Sequence, residues 1–282
     1  MKLSVYILTL KRDELFDRCL RSIKRSIAAA GSDGFGQEDR EICVIEGVSP
    51  ISAARNAGLE RTTGDWIACV DGDDEVTEDW FTEICQAIRR ADSGDEQIDD
   101  ILIDMTFVGK SRSRIDAYGG GEALIDGAVL LRDVLRDMRL GSHAWRHVIR
   151  RSVVGDIRYR DMKVFEDYET TPRLLQRVRR VLYVAKPLYR YLMREGSLSR
   201  SDSMYQLIKV AQARERAFGR HAAVGLCKAC FNCLYDRSGN AGELRGEIRR
   251  RLPSLLFDRH LSRKWRLKFL LAAFGVIVRR PK

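Results

Sequence analysis

The run Trp66-Ile67-Ala68-Cys69-Val70, apolar at every position and ended by Asp71-Gly72-Asp73-Asp74, constrains this 282-residue chain more than any other segment. An unbroken apolar run of that length fits a strand covered on both faces, the usual state of strands in parallel sheets flanked by helices. The surrounding segments keep the same rhythm. Residues 3–10 are strand-like, residues 13–30 helix-like and residues 42–45 apolar again, and Ser49-Pro50 suits a cap with proline at the first position of a helix reaching about Thr62. Gly64 offers that helix a stop. Thr77, with Glu78 and Asp79 behind it, reads as the capped, acidic start of a helix to about Arg90, and residues 98–106 as a further strand. The basic, glycine-rich residues 109–121 fit no regular element. The expectation is an α/β sheet with its ligands at the carboxyl ends of the strands.

The acidic turn sits at such an end. Side chains at i and i+2 of an extended segment point the same way, so Asp71 and Asp73 can face one cation while Gly72 keeps the gap open. Mg²⁺ or Mn²⁺ takes one or two protein carboxylates and completes its shell with water and phosphate oxygens. Taken alone the motif also fits an ordinary turn, since Asp and Gly cluster there. A calcium loop counted from Asp71 needs glycine at its sixth position and finds Val76. A phosphatase of the Asp-x-Asp-x-Thr type finds Glu75 in place of threonine.

The setting decides between these readings. Ile51-Ser52-Ala53-Ala54-Arg55-Asn56-Ala57-Gly58-Leu59, followed by Gly64-Asp65-Trp66 and the strand and turn above, closely resembles glycosyltransferase family 2. The likeness continues through Ala144-Trp145-Arg146-His147, Phe165-Glu166-Asp167-Tyr168, Lys186-Pro187-Leu188-Tyr189 and Tyr191 to Ser199, and so covers roughly residues 3–200. The resemblance implies the GT-A fold, a Rossmann-like mixed sheet flanked by helices, and an inverting, metal-dependent sugar transfer. It places Asp71 near the donor's ribose or the metal, Asp73 on the metal, and Arg55 at the nucleotide end. Thr9 and Glu46 take the base-gripping positions, where the family usually carries a paired Asp-Asp-Gly-Ser and this chain has Ile45-Glu46-Gly47. An inverting transfer also needs a base for the acceptor hydroxyl. The Glu166-Asp167 pair supplies it, with Asp167 as the base and Arg194 as a second clamp on the leaving diphosphate. Trp145, with His143 or His147, is a candidate lining of the acceptor site, because sugars pack on aromatic faces.

Charge divides the chain. Residues 201–282 hold 18 Lys and Arg against 6 Asp and Glu, or +12, while the whole chain is +10. That tail reads as a mainly helical, basic C-terminal region, distinct from a catalytic domain over residues 1–200. Its last stretch mixes Arg263, Lys264, Arg266 and Lys268 with Trp265, Phe269 and Phe274, too short to span a bilayer and suited to lie in an anionic headgroup layer. No nucleic-acid motif accompanies the charge. Cys227, Cys230 and Cys233 fall on one helix face and read as packing, not as a metal cluster. Seven cysteines without a scaffold spacing, and an N-terminus without a cleavage signal, lead to the expectation of a reducing cytoplasmic compartment, peripheral to the inner face of the cell membrane. The expected activity is transfer of a sugar, from a UDP-sugar by family habit, to a glycan or lipid-linked acceptor in surface polysaccharide synthesis. The rival is a catalytically inactive nucleotide-sugar-binding or membrane-binding module of the same fold.

Overall fold

The computed structural model describes residues 1–94, 96–194 and 204–277. Strand β1 (Leu3–Thr9) is buried along nearly its whole length. Asp13 caps α1 (Glu14–Ala30), its carboxylate accepting from the N–H groups of Leu15 and Phe16. β2 (Arg40–Glu46), α2 (Ile51–Arg61), β3 (Trp66–Asp71), the short β4 (Glu75–Val76) and α3 (Trp80–Ser93) follow. Then come β5 (Asp100–Val108), β6 (Ser113–Asp116), β7 (Ala123–Asp126), α4 (Gly127–Arg136), β8 (His147–Arg150), α5 (Arg151–Val154), α6 (Glu166–Leu175) and β9 (Arg180–Leu192). The rest is helical: α7 (Met204–Phe218), α8 (Arg220–Asp236), α9 (Ala241–Leu256) and α10 (Arg263–Ala273).

The strands form one mixed sheet in the order β2-β1-β3-β8-β5-β9-β4, with β6 on β5 and β7 on β9. β1 pairs in parallel with β2 and β3, and β5 with β9, while β8 runs antiparallel between the two parallel groups. Both faces are covered, as the continuous apolar run in β3 requires. On one face Leu3, Val5, Ile7, Trp66, Ala68 and Val70 pack with Phe16 and Ile23 of α1 and Trp80, Ile84 and Ile88 of α3. On the other, Tyr6 lies against α2 so closely that a Cβ at Gly58 would come within 2.5 Å of its ring. This is the mixed α/β, GT-A type of sheet the family resemblance implies.

Several ends fall elsewhere than the sequence pattern places them. α2 begins at Ile51 with Pro50 in the cap position and no side-chain cap, so Ser49 does not cap it. Gly64 lies beyond the helix end, and its lack of a side chain serves a close approach: a Cβ there would stand 2.6 Å from the Lys2 carbonyl oxygen. Thr77 does not cap α3 either, because Asp79 holds that position and Thr77 Oγ1 donates to its carboxylate. The glycine-rich stretch contributes β6, an edge strand on β5. α6 starts at Glu166, which puts the Glu-Asp pair in its first turn.

Two compact units can be distinguished, Met1–Leu131 with Ser142–Glu195, and Arg132–Gly141 with Gly196–Lys282. The first holds the sheet. The second gathers the four C-terminal helices together with the end of α4, fastened by Arg136 to Asp258 at 2.6 Å and by Arg214 to the Val134 carbonyl at 3.0 Å. Cys227, Cys230 and Cys233 are buried inside it on α8, and among the described residues no group of three or more His, Cys, Asp and Glu is placed to hold a metal. The segment from Glu195 to Ser199 and the chain after Ile277 lie outside the described residues.

Candidate active site

Parallel pairing lines up the carboxyl ends of three strands. Thr9 stands opposite Glu46 in the β1 and β2 register, and Leu8 opposite Asp71 in β1 and β3, so the two base-gripping candidates and the acidic turn share one edge. Gly72 lets the turn lie against β1: its N–H donates to the Leu8 carbonyl at 2.8 Å, and a Cβ would stand 2.5 Å from that oxygen. Thr9 Oγ1 donates to the Lys11 carbonyl, and Glu46 is exposed and paired with Arg12 at 3.0 Å.

The turn's far side is tied to β9. The Tyr189 hydroxyl accepts from the Asp71 N–H at 3.2 Å and donates to Asp74 at 2.8 Å, and Asp74 also accepts from the Leu192 N–H. Burial, then the Asp71 charge, pushes the Asp74 carboxyl up to about 8. Asp74 thus anchors the turn, and Tyr189 is a site residue to which sequence reasoning gave no role, although its motif was part of the resemblance.

Beneath the turn lies Arg55, only 2% exposed. Its Nε donates to Glu166 at 2.7 Å, one Nη donates to Cys69 Sγ, and the same nitrogen stands 3.3 Å from Asp71 Oδ1. A buried guanidinium needs such partners. Its contacts therefore go to protein carboxylates, and Arg55 joins the acidic turn to the first turn of α6. Glu166 is buried and committed to it. Asp167, whose side chain keeps 16% exposure, receives the Tyr168 N–H at 2.6 Å and has His143 Nδ1 at 4.0 Å. Burial and then the Glu166 charge push its carboxyl up to about 7, against the pull of Arg55.

The remaining candidates divide. Asp73 is 39% exposed and ion-paired with Arg194, so clamp and turn meet in this structure. Trp145 is buried, its indole N–H on Met105 Sδ and its ring stacked with His143, Tyr189 and Tyr191. That makes Trp145 part of the wall behind the site, and His143, partly exposed, the member of the pair that faces Asp167. His147 is buried on Asp100 at 2.7 Å. For a divalent cation the donor set is two carboxylates, Asp71 and Asp73. Asp71 Oδ1 is buried beside the Arg55 guanidinium at 3.3 Å, so an ion there would share that carboxylate with Arg55 and draw its other ligands from water and phosphate.

Residues 4–96 match the family model described as Glycosyl transferase family 2. Glycosyltransferase GlyA of Streptococcus pneumoniae is 25% identical over 177 residues, covering 59% of this chain and 24% of that protein. Glycosyltransferase GlyG of the same bacterium is 21% identical over 181 residues, covering 60% and 58%. The chain thus spans less than two thirds of either relative's length. Among solved structures, S. aureus TarS 1-349 in complex with UDP-GlcNAc superposes with a TM-score of 0.63 at 16% identity, over 96% of this chain and 87% of that one. A second crystal structure of S. aureus TarS 1-349 gives 0.64 at 14% identity. At such identities the likeness speaks to the fold. Residues 4–96, which hold the strand-end turn, thus carry the match to the family 2 glycosyl transferase model, and the fold over nearly the whole chain is similar to that of TarS, of the GT-A type.

Proposed function

We propose that this chain transfers a sugar, with inversion, from a nucleoside diphosphate sugar to a hydroxyl of a glycan or lipid-linked acceptor in cell-surface polysaccharide synthesis. The observation that carries the reading is the Arg55 bridge, 3.3 Å from Asp71 and 2.7 Å from Glu166, which puts the acidic turn and the Glu166-Asp167 pair in one constellation. The UDP-GlcNAc of the TarS complex supports a UDP-sugar as donor.

In this reading Thr9 and Glu46 face the nucleoside end, and Asp71 and Asp73 face the diphosphate. The acceptor oxygen attacks the anomeric carbon, Asp167 takes its proton, and the bond from that carbon to the diphosphate oxygen breaks with its electron pair leaving on the nucleoside diphosphate. A carboxyl titrating near neutrality suits the base, because it is ionised at working pH yet basic enough to accept the proton. A Mg²⁺ or Mn²⁺ ion on Asp73 and Asp71 would offset the charge gathering on the leaving group. Arg194, already beside Asp73, supplies a second cation there.

The test is a panel of nucleotide sugars offered to the purified protein with and without Mn²⁺. Metal-dependent donor binding and slow donor hydrolysis are expected, both lost in Asp73→Ala. Absence of both in the wild type, with Asp73→Ala unchanged, would sink the reading and leave an inactive module. Donor binding without hydrolysis or transfer would point the same way.

A further inference from the structure

Helix α10 is docked through Phe269, Ala272 and Ala273, with Trp265 edge-on to Phe231 of α8. At 100° per residue the opposite side of the helix carries residues 263, 264, 267, 270 and 271, and in the residue after it 274. Leu267 is 55% exposed, Phe274 is 69% exposed, Leu270 and Leu271 are half-buried, and Arg263 and Lys264 are exposed. An ordinary surface helix turns a polar face outward. Here the outward face is apolar along its length and cationic at its start.

The turn before it repeats the pairing. Phe257, 88% exposed, ends α9 and is followed by exposed Arg259 and His260. Arg266 donates to the carbonyls of Asp258 at 2.7 Å and Leu261 at 3.0 Å, which fastens this turn to the first turn of α10. Phe257 and the α10 face therefore belong to one rigid piece.

We propose that this face docks on an anionic lipid bilayer, with Leu267, Phe274 and Phe257 entering the boundary between headgroups and acyl chains, and Arg259, Arg263 and Lys264 meeting lipid phosphates. Charge selects the occupant. Residues 201–282 carry 18 basic against 6 acidic residues, so a second copy seated here would set like charge against like. A nucleic acid would satisfy the cations and leave the apolar residues unused. A bilayer satisfies both, and no helix among the described residues is long and apolar enough to cross it, so α10 would lie along the surface. The proposal is independent of sugar transfer.

Co-sedimentation of the full chain with vesicles tests it. Binding is expected to phosphatidylcholine vesicles containing phosphatidylglycerol, weakening as salt rises, and not to phosphatidylcholine alone. Arg263→Gln and Lys264→Gln should each lower the partition coefficient about fivefold. Leu267→Ser with Phe274→Ser should lower it about tenfold or more, while the unfolding midpoint and donor hydrolysis stay at wild-type values. Equal binding to neutral vesicles, no binding by the folded protein, or variants that bind like wild type would each overturn it. So would a concentration-dependent dimer in sedimentation that Leu267→Ser abolishes, since a second copy would then be the occupant.

Discussion

Burial pushes up several carboxylates in the first unit, and for two of them, Asp167 and Asp74, the neighbours set different work. Asp167 keeps an opening to solvent and rises to about 7, so the ionised base accumulates as pH increases. Transfer should therefore climb through about pH 7 and level off above it. Asp167→Asn should lower transfer by roughly 10²–10⁴-fold while donor affinity is kept, and an unchanged turnover in that variant would end the assignment. Asp74, pushed from its ordinary value near 3.8 up to about 8, is closed off under Tyr189 and Leu192. Its folded value lies above its unfolded one, so its protonation stabilises the fold fully below about pH 4, and that contribution is lost as pH rises through 8. Asp74→Asn, a neutral mimic, should gain on the wild type in urea unfolding between pH 5 and pH 8. Asp74→Ala should lose about 1–3 kcal/mol, because two donors are left unpaired.

Elements meet at Arg55, which fastens α2 to the end of β3 and to the start of α6. Removing one partner of a buried pair strands the other charge, so Arg55→Ala should cost about 3–5 kcal/mol in chemical denaturation. The double variant Arg55→Ala with Glu166→Ala should lose less than the sum of the singles. Additive losses would mean that the pair carries no coupling. The elements themselves were largely legible. The apolar run of β3 and the helix-like stretch over residues 13–30 are local signals, and the structure keeps both. The start of α6 was not legible, because Phe165 in a left-handed conformation, φ 62°, turns the chain one residue before the Glu-Asp pair, and nothing in a phenylalanine announces that geometry. The same holds for β6, a strand supported by pairing with β5 and by Arg146 on Asp116.

Over the whole molecule, six of the seven cysteines are buried and Cys43 alone is partly open. Burial raises the thiols of Cys227, Cys230 and Cys233, which packs them as small apolar groups. A disulfide-exchange reagent should label one thiol quickly in the native protein and seven after denaturation, and rapid native labelling of α8 would contradict this packing. The sequence by itself determined the βαβ rhythm, the turn Asp71-Gly72-Asp73-Asp74 at a strand's carboxyl end, and the basic helical tail, because periodicity, turn chemistry and charge are written in neighbouring residues. Only the tertiary structure decided that Arg55 reaches Glu166 across 111 positions, that Tyr189 and Asp74 hold the turn, and that Trp145 stands behind the site and His143 beside it. Those partnerships depend on which faces the packed sheet brings together, and burial, which sets the charge of Asp167 and Asp74, exists only once the core has closed over them.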